Sequence, residues 1–438
     1  MKTSTTVKRP VLYLSALIGV ILVLIPFHAF LTVWLTSFIG HYTILRLWKE
    51  VLLACALTLS CYIIYADSKL RTQLYSSKLM RLIGIYTLVL LIWGAIALAT
   101  HSVSAKALAY GLLVDLRFLA FFTVAWIAAS RSGMLLKNWQ PILLVPAAIV
   151  VVFGLLQRLV LPYDFLKHFG YGSATIFPYE TINHNIHFIR IMSTLRGANP
   201  LGAYLIVPLS ALTVLLLKAK SGRLSKALLG AGIILTLFYS YSRSAWIGAF
   251  LSVLLIFWVS LKTDHLRRYL NYGLPILILI SAIVALGLRH NTAFEDAVLH
   301  TDHNSQAIKS SNQGHIAAFR DGARDIIHQP LGRGPGTAGP ASVYNNHPPR
   351  IAENYFLQIG QEAGLIGMAL FIAINLLVAK LLWLKRNEPL ALALFAGLIG
   401  LTLVNLLSHA WTDDTIAYIF WGLCGIALAP KLKPLAKQ

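Results

Sequence analysis

The chain has 438 residues, of which 57% are hydrophobic and only 12% charged, and its mean hydropathy is +0.70. Such apolar content exceeds what a soluble domain of this length needs and fits a polytopic membrane bundle. The 37 Lys+Arg against 16 Asp+Glu leave a net charge of +21. Because these cations stand in short clusters between apolar runs, nucleic acid is excluded as the partner they serve.

Apolar segments of spanning length fall at roughly 10–27, 47–65, 82–100, 108–130, 139–158, 199–217, 226–241, 244–261, 270–288, 355–384, 389–408 and 415–430, twelve in all. No small-x-small cleavage pattern follows the first, so it reads as a retained span rather than a signal peptide. Cys55, Cys61 and Cys424 lie inside apolar runs without metal or redox spacing and read as small core residues. With the N-terminus in the cytoplasm, alternating spans put the cation clusters at 69–81, 131–137, 218–226, 262–268, 380–386 and 431–437 on the inner side. That is the pattern of the positive-inside rule, and it makes both termini cytoplasmic.

Two outer segments are long, 159–198 and 289–354, and the semi-apolar outer stretch 28–46 is short enough to dip into lipid. The predicted fold is therefore all-α: one transmembrane bundle over residues 1–438, with 289–354 as an extracytoplasmic cap and 159–198 as a second extracytoplasmic loop. Within the cap, Ile316, Phe319, Ala323, Ile326 and Ile327 recur at helical spacing with Arg320, Asp321, Arg324 and Asp325 between them. This predicts an amphipathic helix over the mouth of the bundle, ended by Gln329-Pro330. Gly332-Arg333-Gly334-Pro335-Gly336 then forms a tight turn, followed by a polar crossing to Glu353-Asn354 at the head of the tenth span.

Four arginines stand out by position: Arg190 and Arg196 just before the sixth span, Arg243 in the turn between the seventh and eighth, and Arg320 in the cap helix. All four are expected to converge near the outer headgroup level. Guanidinium groups give planar bidentate hydrogen bonds and keep their charge, so such a cluster suits a lipid pyrophosphate; singly, each could equally bind phospholipid headgroups. Glu353 is the leading acid–base candidate, against the plainer role of complementing a helix N-terminus. His347 and His409 are outer-side histidines that turn or capping roles also explain. Asp115 and Arg117 lie inside the fourth span, where mutual pairing across the bundle competes with a functional role. Glu362 suggests interhelical hydrogen bonding, and Gly364 and Gly367 close packing. The run GRGPGTAG lacks the Lys-Ser/Thr and the strand of a phosphate loop. Asp413-Asp414 alone cannot build a metal cage, so no metal and no cofactor is expected.

Four motifs carry a family resemblance: R-x5-R-G-x-N-P-x-G-x-Y-L from Arg190 to Leu205, S-R-S-A-W from Ser242 to Trp246, R-D-G-x-x-D-I-I-x-Q-P-L-G-x-G-P-G from Arg320 to Gly336, and E-N-Y-x-L-Q-x5-G-L-I-G from Glu353 to Gly367. In this order and topology they resemble the O-antigen ligase/polymerase family, membrane glycosyltransferases that use undecaprenyl-pyrophosphate-linked glycans. The resemblance implies metal-independent, inverting transfer from undecaprenyl pyrophosphate to a hydroxyl of a glycan, lipid-core or protein acceptor on the outer face of the cytoplasmic membrane. The family's two essential arginines map onto Arg243 and onto Arg190 or Arg196. Its last motif often begins His-Asn, with the histidine as base, and here that position is Glu353. The implied catalytic set is Glu353, Arg243, Arg196 and Arg190, with Arg320, Asn354, Asn199, Arg333 and His347 binding substrate. Membrane lipids are the remaining expected partners. A ligase is favoured over a polymerase because no long acceptor-gripping domain is present. A transporter or flippase of the same lipid-linked glycans would instead expect inverted repeats and broken helices at mid-membrane.

Overall fold

A computed structural model describes residues 3–182, 185–219, 221–261, 286–288, 291 and 311–432. In chain order its main elements are α1 (Thr3–Leu24), α2 (His28–Ile39), α3 (Trp48–Ala66), α4 (Lys78–Ala99), α5 (Ala105–Arg131), α6 (Trp139–Leu159), β1 (Glu180–Ile182), β2 (Asn185–Arg190), α7 (Ala198–Lys218), α8 (Arg223–Tyr239), α9 (Arg243–Ser260), α10 (Ser311–His328), α11 (Tyr355–Leu384), α12 (Pro389–Leu407) and α13 (Asp414–Leu428). Short helical turns at Tyr42–Leu45, Ser68–Ser76 and Met134–Lys137 lie between them. The two strands pair antiparallel and form the one sheet among the described residues.

Nine helical segments among the described residues are long and apolar enough to cross a bilayer. One of them, Val7–Ile39, joins α1 to α2 through a 3-10 turn at Ile25–Phe27. The stretch 28–46 is thus largely a continuation of the first apolar helix rather than a loop. The predicted spans at 226–241 and 415–430 are the helices α8, of 17 residues, and α13, of 15. The predicted span 270–288 and the first third of the 289–354 segment lie almost wholly outside the described residues. The chain is an all-α, multi-pass membrane protein, and its wide exposure of Leu, Ile, Val and Phe on the outward faces of these helices is what a lipid solvent permits.

Helix starts are written into the sequence as caps. Ser77, Ser104, Asn354 and Asp413 each accept a hydrogen bond from a first-turn amide of α4, α5, α11 and α13, which satisfies a backbone donor that lipid could not. At the bundle's centre α13 packs against α5, and α7 against α9 and α12; nearly every side chain of α7 and α13 is buried. Apolar contact supplies little drive between helices in lipid, so close approach and interhelical hydrogen bonds matter more. Gly248 on α9 faces Gly400 on α12 so closely that a Cβ on Gly248 would come within 2.7 Å of the Gly400 carbonyl oxygen. Beside them the Ser252 hydroxyl donates to the Ala396 carbonyl at 2.9 Å, a bond worth about 0.6 kcal/mol in this setting.

The cysteine expectation holds only for Cys424, which is buried. Cys55 and Cys61 are exposed on the outward face of α3, because apolar residues there meet lipid rather than a core. Nor do Asp115 and Arg117 pair with each other. Two residues apart on one helix, they project to opposite sides. Arg117 reaches Asp414 and the Thr412 carbonyl (2.7 Å), and Asp414 also takes Lys49 at 3.0 Å and His28 at 3.3 Å. Asp115 instead accepts from the Tyr355 hydroxyl at 3.2 Å.

The bundle has two chemically different ends. At one, Arg131 bonds Asp67, Lys218 bonds the Asn387 carbonyl and Lys385 the Ala427 carbonyl. These belong to the clusters expected on the inner side. The opposite end carries β1–β2, α10 and the turns that precede α9, α11 and α13.

Candidate active site

The sheet register sets the first arginine. Glu180 stands opposite Arg190 on the hairpin, with Arg190 Nη1 3.6 Å from Glu180 Oε2. Arg190 also donates from Nε to the Ser240 carbonyl (3.0 Å) and from Nη2 to Asn199 Oδ1 (2.6 Å). A strand, the α8–α9 turn and the start of α7 therefore hold one guanidinium from three sides. Arg243 opens α9 two residues after Tyr241, a residue at φ 51°. It lies close enough to Arg190 for the two like charges to repel.

Across from them stands Glu353, also left-handed at φ 50°. Such backbone costs a non-glycine residue about 1–3 kcal/mol and persists only where its surroundings enforce it. Those surroundings are on both sides of the residue. Asn354 caps α11 while donating to the Leu406 carbonyl at 2.9 Å, and the Tyr355 amide donates to the Ser408 carbonyl at 3.2 Å. Glu353 Oε2 meets Nδ1 of His315 from α10. That hydrogen bond, followed by the charges of His315 and His409, holds the Glu353 carboxyl below the usual range against the opposing effect of burial.

Arg190, Asn199, Arg243, His315 and Glu353 line one cavity of about 660 Å³, together with Ser242, Ser244 and Ser408 and an apolar patch of Ile247, Ile316, Phe319, Leu406 and Leu407. A second hollow of about 260 Å³ shares Asn199, Ser244, His315, Glu353 and Ser408 with it and adds Arg196, His409 and Asp413. Arg196 is fixed there by Asp413 (Nε to Oδ2, 2.7 Å). Burial and then the Arg196 charge push His409 down to about 4, so it is neutral at pH 7. A third hollow of about 420 Å³ continues past Glu180, Arg196 and Asp413 to Tyr42, Arg46 and Tyr110.

Of the nine residues singled out from the sequence, four meet at the main cavity and Arg196 stands in the adjoining hollow. The other four are elsewhere. Arg320 does not converge with the arginines: its side chain is 79% exposed, with Asp321 as its neighbour, on a face of α10 turned from the cavity. Arg333 and His347 line a separate hollow beside Trp93 and Arg350, and Arg333 is tied to Asp325 at 3.3 Å. Asn354 is buried in its capping role. The expected turn at 332–336 packs into the bundle, where Gly336 and Ala338 amides donate to the buried Glu362 carboxylate at 2.8 and 3.3 Å. The phosphate-loop likeness of this run thus has an internal carboxylate as its object. Sequence reading passed over His315 and Glu180; the signal for His315 was its place on the amphipathic helix, five residues before Arg320.

The fold and this site together define a class: a multi-pass membrane protein with a cation-walled, partly apolar cleft at one end of its bundle. Residues 227–372, about a third of the chain, match the family model described as O-Antigen ligase. The matched stretch carries Arg243, His315, Glu353 and the Gly-rich turn, whereas Arg190, Arg196 and Asn199 lie before it. No curated protein matches the chain.

Proposed function

We propose that the protein is a glycosyltransferase of the ligase type, moving a glycan from a polyprenyl-pyrophosphate carrier to an acceptor hydroxyl at the outer face of the cytoplasmic membrane. The observation that carries this reading is the shared cavity: two guanidinium groups, Arg190 and Arg243, face the Glu353 carboxylate across a cleft with an apolar wall. A lipid pyrophosphate has both chemistries, an anion for the arginines and a prenyl chain for the wall of Ile247, Phe319, Leu406 and Leu407. The guanidinium groups stabilise the charge that develops as the anomeric carbon–oxygen bond breaks. The acceptor oxygen attacks from the side of Glu353, opposite the leaving group, so configuration inverts. In this reading the arginines supply the positive charge at the leaving group, and turnover continues in EDTA. A polymerase would run the same chemistry with a second lipid-linked glycan as acceptor. A flippase is disfavoured because Arg190, Arg243, His315 and Glu353 share one cavity at one end of the bundle, whereas a carrier places its binding groups between repeats at mid-membrane. The test is reconstitution of the full chain in lipid with a defined polyprenyl-pyrophosphate oligosaccharide and candidate acceptors: a glycosylated acceptor with released carrier supports transfer, and translocation without transfer refutes it.

A further inference from the structure

We propose that His315 is the catalytic base of this transfer and that Glu353 is the residue that positions it. The inference rests on the transferase reading above and assigns its proton-accepting step to a residue outside the motifs.

The geometry comes first. The Glu353 carboxylate contacts Nδ1 of His315; in the tautomer that puts the proton on Nδ1, Nε2 is the ring's remaining proton acceptor. His315 lines both the arginine cavity and the second hollow, at the joint between them. Its helix is pinned: Asp325 takes Arg333 and Gln361, Ile326 is buried, and Gly322 lies against Ala352 and Leu357. The other side of the pair is held by the stitching of residues 354–355 to 406–408.

Competition among bases points the same way. Three groups stand at the joint, Glu353, His409 and His315. The Glu353 carboxyl is held low by its hydrogen bond from His315, and His409 is pushed down to about 4, so both are poor acceptors near neutrality. A neutral imidazole with a carboxylate on its other nitrogen is the arrangement that accepts a proton and tolerates the charge that results. The charged groups facing His315 are Glu353 before α11, Arg190 from β2, Arg243 from α9 and, across the hollow, Glu180, Arg196 and Asp413.

The step balances as follows. The acceptor hydroxyl oxygen bonds to the anomeric carbon, and its proton goes to His315 Nε2. The anomeric carbon–oxygen bond to phosphorus breaks, and its electron pair leaves on the pyrophosphate between Arg190 and Arg243. The imidazolium rests against Glu353 until it returns the proton to water.

The experiment uses the full chain in lipid with a polyprenyl-pyrophosphate oligosaccharide, comparing wild type, His315→Ala, His315→Gln and Glu353→Gln. His315→Ala and His315→Gln are expected to lose roughly 10²–10⁴-fold in kcat with donor KM little changed. Added imidazole should restore part of the rate to His315→Ala but none to Glu353→Gln, an effect no merely structural role of His315 produces. Nitrogen-labelled histidine spectra should show His315 in the Nδ1–H tautomer, lost in Glu353→Gln. Parental turnover in His315→Gln beside an inactive Glu353→Gln would make Glu353 the base and overturn the assignment alone. A wild-type protein that transfers nothing would overturn the transferase reading together with it.

Discussion

Arg190 and Arg243 line the same cavity, and loss of either should show in turnover. Arg190 braces a hairpin, a helix turn and the start of α7, so Arg190→Ala should lower the thermal unfolding midpoint as well as activity. For Arg243→Ala the expected outcome is a barrier raised by about 2.7–4 kcal/mol, read as a ~10²–10³-fold drop in kcat, by analogy with removal of one oxyanion donor. Arg243→Lys should recover little, since a point charge does not reproduce bidentate contact. Both variants are checked by turnover at saturating donor. His409 makes a prediction in pH. Its proton affinity is lowered in the folded state from 6.5 to about 4, so the unfolded chain binds the extra proton between those values. Stability should therefore fall as pH drops from about 6.5 toward 4, and His409→Asn should flatten that slope in thermal melts. The Glu353–His315 link runs in the same direction but at lower pH. Because the Glu353 carboxyl is held below its ordinary 4.5, the link contributes above that pH and is lost as pH falls through the lowered folded value. Amide exchange over α10, corrected for intrinsic rates, should stay slow at pH 5 and rise only at stronger acidity.

At the level of elements, the cap is held by the glycine turn that follows α10 as well as by α10 itself. Gly332 at φ 78° lies against the Glu362 carbonyl and the Gly364 amide, and Gly364 at φ 67° breaks the regular helix of α11 against Pro330 and Leu331. A side chain at Gly364 would meet backbone, which cannot give way as a flexible side chain can. Gly364→Ala should cost at least ~1–3 kcal/mol and loosen α10, measured as a lower unfolding midpoint and faster exchange in 311–328. Helix α10 also carries His315, so this variant should lose activity although Gly364 does not line the arginine cavity. The spans were legible as elements because twenty apolar residues leave little choice of structure in lipid, and α11 runs over 355–384 as expected from its hydropathy. The α1–α2 junction was not, since the 3-10 turn at Ile25–Phe27 interrupts an apolar run that hydropathy alone cannot divide from a loop.

Over the whole molecule, the separation of a cation-rich end from an end bearing the site gives a topology that labelling can decide. In a background without Cys55, Cys61 and Cys424, Asn346→Cys should react with an impermeant maleimide from outside the cell, and Asn387→Cys only after permeabilisation. The reverse pattern would place the site in the cytoplasm. By itself the sequence determined the membrane-spanning class and the cation-rich end, and it marked Arg190, Arg243 and Glu353 as candidates, because hydropathy, charge placement and local motifs are all properties of neighbouring residues. Which of the marked residues share a cavity was decided only by the tertiary structure. Arg320 and His315 occupy the same helix, yet only His315 faces Glu353, and Arg333 is committed to Asp325. Those outcomes depend on how α10 is rotated and pinned against α11, a matter of packing between segments that no local pattern encodes.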